Sequence, residues 1–126
     1  MAPQPNFTLL YVDSPLASEA FYSALLERKP VESSPTFVLF VTDAGLKLGM
    51  WARHLVKPAP SAAAGAAEIV LPVEGPDAVD ATYAAWESRG LRIVQQPTDM
   101  DFGRTFVALD PDGHRLRVFA PAGEQN

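Results

Sequence analysis

The segment Val12-Asp13-Ser14-Pro15-Leu16-Ala17-Ser18-Glu19-Ala20-Phe21-Tyr22 returns 61 positions later as Val73-Glu74-Gly75-Pro76-Asp77-Ala78-Val79-Asp80-Ala81-Thr82-Tyr83. The match resumes further along the chain, where Gly45-Leu46-Lys47-Leu48-Gly49-Met50-Trp51 corresponds to Gly113-His114-Arg115-Leu116-Arg117-Val118-Phe119. A repeat of this length indicates that one supersecondary unit is used twice. We therefore expect two similar sheets that meet around a cleft.

Each copy carries the pattern of a strand, a helix and three further strands. In the first copy, Ser14 can cap a helix that has Pro15 at its first position, and apolar residues recur at helical spacing up to Pro30. In the second copy, Asp110-Pro111-Asp112-Gly113 has the composition of a turn before the last strand. The pattern predicts an α+β fold of two tandem βαβββ modules that form a cleft between curved mixed sheets.

The two modules span residues 7–51 and 67–119, and the segment 52–66 between them is rich in alanine, glycine and proline. Because these residues interrupt strand patterns, we expect this segment to be an exposed linker. A chain of 126 residues has the size of one domain. Both modules are therefore predicted to belong to a single domain, 1–126.

The composition limits the cellular location and the classes of partner that can be expected. A net charge of −5 with scattered basic residues argues against a nucleic-acid partner, because non-specific binding needs clustered Lys and Arg. No apolar run approaches the roughly 20 residues of a membrane span, and Met1-Ala2-Pro3-Gln4-Pro5 lacks the features of a targeting segment. We expect a cytoplasmic protein with no membrane partner. The absence of cysteine excludes thiolate metal sites and a cysteine nucleophile.

Two motifs accompany the duplicated unit: Ser18-Glu19-Ala20-Phe21-Tyr22 in the first helix, and Asp110-Pro111-Asp112-Gly113-His114 before the last strand. With them the chain resembles the vicinal oxygen chelate superfamily, which includes glyoxalases, bleomycin resistance proteins and extradiol dioxygenases. It is also similar to the phenazine antibiotic resistance branch, through segments in the same order along the chain: Leu10-Tyr11-Val12, Pro30-Val31, Trp51 and Asp101-Phe102-Gly103-Arg104-Thr105-Phe106. The resemblance implies a homodimer that sequesters a planar aromatic antibiotic or metabolite, conferring resistance without transforming the compound.

In metal-using members of the superfamily, the ligands come from the first and last strands of each module. The repeat and the strand period place the equivalent positions here at Phe7, Gly49, Glu68 and Arg117. Glu68 is the one possible ligand of the four, and Arg117 would hold a permanent positive charge where a dication belongs. We therefore expect no metal and no other cofactor. Glu68 and Arg117 can pair with each other, or Arg117 can donate to a ligand carboxylate or carbonyl. Both arrangements can hold in turn if ligand entry breaks the pair.

The two-residue period of strands also sends aromatic side chains into the predicted cleft. Four residues in this set can stack on a planar ligand: Phe7, Tyr11, Trp51 and Phe119. Gly49 would leave a floor low enough for a flat ring to approach. Trp51 is the strongest candidate because it ends a strand beside the linker, whereas large residues such as Phe7 and Phe119 more often fill the core.

The polar segment from Gln95 to Gly103 is predicted to be a loop long enough to lie over the cleft. In one interpretation, Phe102 and Arg104 form a lid over the ligand, with Gly103 as the hinge and Asp101 holding Arg104. In the other, the segment is a lead-in to the next strand and Gly103 relaxes the backbone. The resemblance favours the lid.

The sequence contains no recognisable arrangement for covalent catalysis. It has no Gly-x-Ser-x-Gly motif, and neither His54 nor His114 falls near a predicted cleft position. We expect no catalytic residues and a non-catalytic binding protein. Three alternatives stay open: a metal-dependent lyase, isomerase or dioxygenase of the same superfamily, a metal-free isomerase with Glu68 as its base, and a structural or regulatory module with a filled core.

Overall fold

The computed structural model describes residues 2–122, and these divide into two compact units. One unit ends at Ala63 and the other begins at Ala64. This division falls inside the segment 52–66 that the sequence predicts to be a linker. Each unit contains one of the two predicted modules. The cleft between the sheets and the grouping of both modules into one domain stay predictions.

The first unit has a four-stranded sheet and one helix, with a short 3₁₀ turn after the last strand. Its strands lie in the order β1-β4-β3-β2, in which β1 is parallel to β4 and the other neighbours are antiparallel. In chain order the elements are β1 (Phe7–Val12), α1 (Pro15–Leu26), β2 (Glu32–Ser33), β3 (Phe37–Val41), β4 (Lys47–Ala52) and the 3₁₀ turn (Arg53–Leu55).

The second unit repeats this architecture. Its strands lie in the order β5-β8-β7-β6, again with the first and last strands of the module parallel. The elements are β5 (Glu68–Pro72), α2 (Pro76–Ser88), β6 (Arg92–Met100), β7 (Gly103–Leu109) and β8 (Arg115–Pro121). The prediction of an α+β fold with two βαβββ modules and mixed sheets is confirmed.

Helix α1 begins as the sequence predicts. The Ser14 Oγ accepts a hydrogen bond from the Ala17 N–H at 3.2 Å, and Pro15 occupies the first turn, where its missing N–H costs nothing. The helix ends at Leu26, before the predicted stop at Pro30, because Glu27 adopts a left-handed conformation with φ of 53°. The Glu27 N–H then closes the helix end by donating to a carbonyl of the last turn.

Replacing Ser14 by alanine is expected to lower the free energy of unfolding by about 1 kcal/mol, because the Ala17 N–H loses its side-chain acceptor. Urea unfolding followed by circular dichroism measures this loss. Ser61→Ala is the matched control, since Ser61 is exposed and lies in the linker. Equal stabilities for the two variants would show that the cap contributes nothing.

Each sheet has one face packed on its helix. In the first unit the Tyr22 ring of α1 lies 6.5 Å from the Phe40 ring, and in the second unit Tyr83 and Trp86 of α2 contact the Phe106 ring at 5.5 and 5.3 Å. On the helix-facing side of the first sheet the buried side chains alternate along the strands: Leu10, Val12, Val38, Phe40, Leu48 and Met50.

The face opposite the helix is termed the open face of each sheet. In the first unit it carries Phe7, Leu9, Tyr11, Phe37, Lys47, Gly49 and Trp51, which are linked by register across β1, β3 and β4. In the second unit it carries Glu68, Val70, Thr105, Val107, Arg115, Arg117 and Phe119. Strand parity therefore places the predicted cleft residues of these strands on open faces.

The prediction of a long loop from Gln95 to Gly103 is wrong. Strand β6 continues to Met100 and pairs with β7, and Asp101-Phe102 forms the tight turn of a hairpin. Two register shifts interrupt the pairing on either side of Gln95. Such bulges tolerate Pro97 within the strand, which explains why a polar, proline-containing segment is still paired.

The turn before β8 has the predicted conformation. The buried Asp110 carboxylate accepts hydrogen bonds from the backbone N–H groups of Asp112 and His114, both at 2.9 Å. Gly113 supplies the positive φ of 94° that closes the turn. Within residues 2–122, no helix is both long enough and apolar enough to cross a membrane.

Candidate ligand-binding site

The open face of the second sheet holds a cluster of one carboxylate and two guanidinium groups. Glu68 is the first residue of β5, and its register partner is Arg115 on the adjacent β8. The Arg117 Nε and Nη2 atoms donate to Glu68 Oε1 and Oε2 at 2.7 and 3.0 Å, and Arg115 Nη2 lies 2.9 Å from Oε2. The structure contains the Glu68–Arg117 pair, while the arrangement in which Arg117 donates to a ligand stays a prediction.

Arg117 is held by two further side chains from neighbouring strands. Its Nη1 atom donates to Thr105 Oγ1 at 3.1 Å and to Gln95 Oε1 at 3.3 Å. The buried Thr105 hydroxyl in turn donates to the Val118 carbonyl at 2.8 Å. Thr105 and Gln95 were missed from the sequence, although Thr105 lies in a clear strand whose parity could have indicated its face. The guanidinium is fixed in one orientation by these bonds.

The electrostatics of the cluster keep Glu68 ionised. The hydrogen bond from Arg117 is the main cause that lowers the pKa of Glu68, and the positive charges of Arg117 and Arg115 act in the same direction, while partial burial opposes them. A general base is most effective when its pKa lies near the operating pH, and both oxygens of Glu68 are already engaged by guanidinium groups. The lowered pKa argues against the alternative in which Glu68 is the base of a metal-free isomerase.

The residues at the four positions equivalent to metal ligands do not fit a metal ion. Phe7 and Gly49 offer no ligand atom, and both carboxylate oxygens of Glu68 are engaged by guanidinium groups. A dication there would have to displace Arg115 and Arg117 or lie beside their charges. Within residues 2–122, no three His, Asp or Glu side chains are grouped so that they could hold a metal ion.

Two phenylalanine rings border the charged cluster. Phe102, in the β6–β7 turn, packs edge to face against Phe119 of β8 with the ring centroids 6.0 Å apart. The Arg117 Cζ atom lies 5.8 Å from the Phe102 ring centroid, which is within cation–π range. Phe102 remains 45% exposed. The structure thus brings four predicted site residues together on one face: Glu68, Phe102, Arg117 and Phe119.

Arg104 does not lie on this face. It precedes Thr105 in β7, and strand alternation turns its side chain to the helix-facing side, where its Nε atom is 2.8 Å from the Asp80 carboxylate of α2. Its Nη1 atom contacts the Asp99 carboxylate at 3.0 Å, and these two acids raise the pKa of Arg104. The prediction that Asp101 holds Arg104 is wrong. Arg104 ties the hairpin to α2 and does not share the open face with Phe102.

Gly103 does not have the surroundings of a hinge. It adopts φ of +137°, and a Cβ atom at this position would lie 1.9 Å from the Ala120 carbonyl oxygen of β8. The adjacent Phe102 carbonyl accepts a hydrogen bond from the Ala122 N–H at 2.9 Å. Glycine is therefore required by the close approach of two backbones. The turn that carries Phe102 is fastened to β8 on both sides of Gly103.

On the open face of the first sheet, aromatic side chains lie on neighbouring strands. Tyr11 and Trp51 are register partners, and their rings meet edge to face with centroids 6.3 Å apart. Phe7 is 45% exposed, and the Lys47 ammonium lies 6.0 Å from its ring centroid. Trp51 is half-buried. The first unit therefore presents three of the predicted aromatic residues on one surface.

Gly49 is not an open floor on this surface. An added Cβ atom would lie 3.0 Å from side-chain atoms of Leu9, Phe37 and Phe7. Because glycine leaves space above the strand, these three neighbours fold over it and bury it. Phe37, on β3, was missed from the sequence even though it is the register partner of Trp51. The prediction that Gly49 leaves an open floor is wrong, because these side chains and not the Gly49 backbone form the surface there.

Comparison with known proteins places this fold in a family. The model of the Glyoxalase/Bleomycin resistance protein/Dioxygenase superfamily matches residues 4–118. The phenazine antibiotic resistance protein EhpR of Enterobacter agglomerans is 32% identical over 117 residues, covering 90% of this chain and 89% of its own length.

Solved structures agree with this assignment. Protein ATC0852 from Agrobacterium tumefaciens, determined by solution NMR, is 54% identical and superimposes with a TM-score of 0.90 over 97% of this chain and all of its own. A glyoxalase-related enzyme from Fulvimarina pelagi, 19% identical with a TM-score of 0.82 over 94% of this chain and 88% of its own, shares the fold. The chain belongs to the glyoxalase, bleomycin resistance protein and dioxygenase superfamily.

Proposed function

We propose that the protein binds and sequesters a planar aromatic antibiotic or metabolite of the phenazine type without a metal ion, and so confers resistance. The observation that carries this proposal is the Glu68 carboxylate, which lies at a position equivalent to a metal ligand and is bound by Arg117 and Arg115 beside exposed aromatic rings. The similarity to a phenazine antibiotic resistance protein supports the ligand class.

Ring stacking supplies enough free energy for useful sequestration. Each aromatic contact is worth about 0.5–1.5 kcal/mol beyond simple burial, and burial of the apolar ring of a ligand adds about 25 cal/mol per Å². Micromolar binding requires about −8 kcal/mol. Two stacked rings such as Trp51 and Tyr11, together with the burial of the ligand, therefore contribute free energy of this order. A stoichiometric binder lowers the free concentration of the compound without chemistry.

The proposal includes a homodimer, which the family resemblance implies, and a cytoplasmic location, which is expected from the sequence. Sedimentation equilibrium of the purified protein tests the assembly by giving its molar mass in solution. A mass equal to that of one chain at all concentrations up to the micromolar range contradicts the dimer but leaves ligand binding open to its own test.

Titration with phenazine is expected to quench the fluorescence of Trp51 in a saturable manner, with a dissociation constant in the micromolar range, about 10⁻⁶ M. The chain has a second tryptophan, Trp86, which is 5% exposed and packs against Phe106 on the helix-facing side. Trp51→Phe should therefore lose most of the quenching while Trp86 continues to emit. Isothermal titration calorimetry measures the accompanying loss of affinity independently.

Repeating the titration after dialysis against EDTA distinguishes metal-free binding from the metal-dependent alternative. The proposal expects the same affinity before and after dialysis. Metal bound in stoichiometric amount to the purified protein, together with binding that disappears on chelation, contradicts it. Saturable quenching that persists unchanged in Trp51→Phe would place the ligand away from the open face of the first sheet.

A further inference from the structure

Met100 is an exposed methionine on the open face of the second sheet. Its register partner is Gly103, and strand alternation places Gly103 on the same face as Thr105. Met100 is 44% exposed, whereas Met50, the other methionine within residues 2–122, is fully buried against α1 in the first unit. Peroxides in solution can therefore reach one of these two thioethers and not the other.

The Met100 thioether is connected to the charged cluster through Gln95. The Gln95 Nε2 atom donates to Met100 Sδ at 3.5 Å, and Gln95 Oε1 accepts from Arg117 Nη1 at 3.3 Å. The register shifts on either side of Gln95 turn its side chain along the open face. One planar amide group makes both contacts, so that a movement of the amide toward or away from Met100 also changes its contact with Arg117.

Oxidation by hydrogen peroxide would change the acceptor that Gln95 contacts. The sulfur lone pair attacks one oxygen atom of the peroxide, an S–O bond forms as the O–O bond breaks, and the other oxygen leaves as water with both protons. A thioether sulfur is a weak acceptor, whereas a sulfoxide oxygen is polar and accepts strongly. Because the new oxygen has to fit beside a donor that already contacts the sulfur, the Gln95 amide has to move.

We propose that Met100 is an oxidation site for peroxides, and that its sulfoxide withdraws Gln95 from Arg117 and so weakens ligand binding on this open face. The last step, the effect on ligand binding, rests on the proposed function. The Gln95 contact is the longest of the four hydrogen bonds that hold Arg117, and it is therefore the first to be lost. Arg117 keeps its bonds to Glu68 and Thr105, so the cluster itself stays assembled.

Ligand binding weakens because two polar groups on the open face then depend on water. The sulfoxide oxygen and the released N–H of Arg117 are solvated in the free protein. A planar ring that covers them removes this water without replacing its hydrogen bonds. Phe102, which is 45% exposed and lies 5.8 Å from Arg117 Cζ, is the ring that a ligand would contact beside them.

Brief treatment with hydrogen peroxide, followed by peptide mass spectrometry, tests the modification. The peptide that contains Met100 is expected to gain one oxygen atom at least about tenfold faster than the peptide that contains buried Met50. Calorimetric titration of the oxidised protein with phenazine should then give an affinity about fivefold weaker, as for the loss of one net hydrogen bond. Methionine sulfoxide reductases should restore the affinity.

Met100→Leu is the matched control, since leucine has a similar volume and no sulfur. Its affinity for phenazine should be the same before and after peroxide. Thermal unfolding verifies that the variant is folded. Equal oxidation of Met50 and Met100, or an affinity that does not change when Met100 is oxidised, overturns the inference while the proposed function stands.

The nuclear magnetic resonance signal of the Arg117 Nε–H group tests the coupling without a ligand. This signal should shift when Met100 is oxidised and should not respond to peroxide in Gln95→Leu, which lacks the connecting amide. If phenazine does not bind the unmodified protein, the proposed function and the effect on ligand binding are both overturned. A shift of the Arg117 signal then still supports the coupling, and its absence overturns that as well.

Discussion

Gly103→Ala is expected to destabilise the protein by about 3 kcal/mol or more, because two separate costs add at this residue. The backbone adopts φ of +137°, which an alanine side chain disfavours, and the new Cβ atom would lie 1.9 Å from the Ala120 carbonyl oxygen. That oxygen belongs to the backbone of β8 and cannot rotate away. Relief requires the β7–β8 pairing to open at Gly103↔Pro121, with loss of the Ala122–Phe102 hydrogen bond. Urea unfolding measures the loss.

Gly45→Ala is the matched control for the conformational cost alone. Gly45 also has a positive φ, of +92°, but a Cβ atom there meets nothing within 4 Å. Its substitution is expected to cost about 1 kcal/mol. Should Gly103→Ala cost no more than Gly45→Ala, the close approach of the two backbones does not constrain the hairpin, and the hinge interpretation of Gly103 regains support.

The fold was predictable because the repeat reproduces turn chemistry as well as apolar spacing. Gly45 and Gly113 occupy corresponding positions, and both adopt nearly the same positive φ, of 92° and 94°. Thr42 and Asp110 then use a side-chain oxygen to accept the N–H of the residue just before the next strand. The turn signals and the strand parity agree in both copies. Both modules therefore pair their strands in the same register.

The sequence predicts a strand over residues 91–95, but the continuation of β6 to Met100 was not predictable, because its pairing does not depend on its own sequence pattern. Gln95 and Gln96 are polar, Pro97 lacks an N–H, and the two register shifts disturb any alternation of apolar residues. What holds the segment is the backbone of β7 and the tie from Arg104 to Asp80 and Asp99. These are tertiary interactions that a local pattern does not encode.

The sequence correctly indicated which faces of the strands carry the candidate site residues. It did not indicate which side chains contact one another there. Parity correctly placed Trp51 and Arg117 opposite the helices. It could not show that Phe37 and Phe7 cover Gly49, or that Arg115 shares the carboxylate of Glu68, because those contacts depend on rotamers and neighbouring strands. The charge balance of the cluster follows from such contacts.

Glu68→Gln is expected to lower the free energy of unfolding at pH 7 by about 1–3 kcal/mol, because it leaves Arg115 and Arg117 in contact without a counter-charge. The glutamine keeps one acceptor oxygen, but its NH₂ group faces guanidinium donors, so the loss includes the bidentate hydrogen bonds as well as the charge. Asp43→Asn is the matched control: it breaks the Arg28–Asp43 pair, in which the Asp43 side chain is 96% exposed. An exposed pair of this kind contributes less than about 1 kcal/mol.

The dependence of this loss on pH gives the sharper test. Because the pKa of Glu68 is lowered in the folded protein from its ordinary value of 4.5, the pair stabilises the fold fully above pH 4.5. The stabilisation is lost as the pH falls through the folded-state pKa, where the carboxylate of the unmodified protein takes up its proton. The stability difference between the unmodified protein and Glu68→Gln should therefore shrink toward zero in acid. A difference that stays constant from pH 7 into the acid range would mean that shape, and not the charge of Glu68, holds the two arginines.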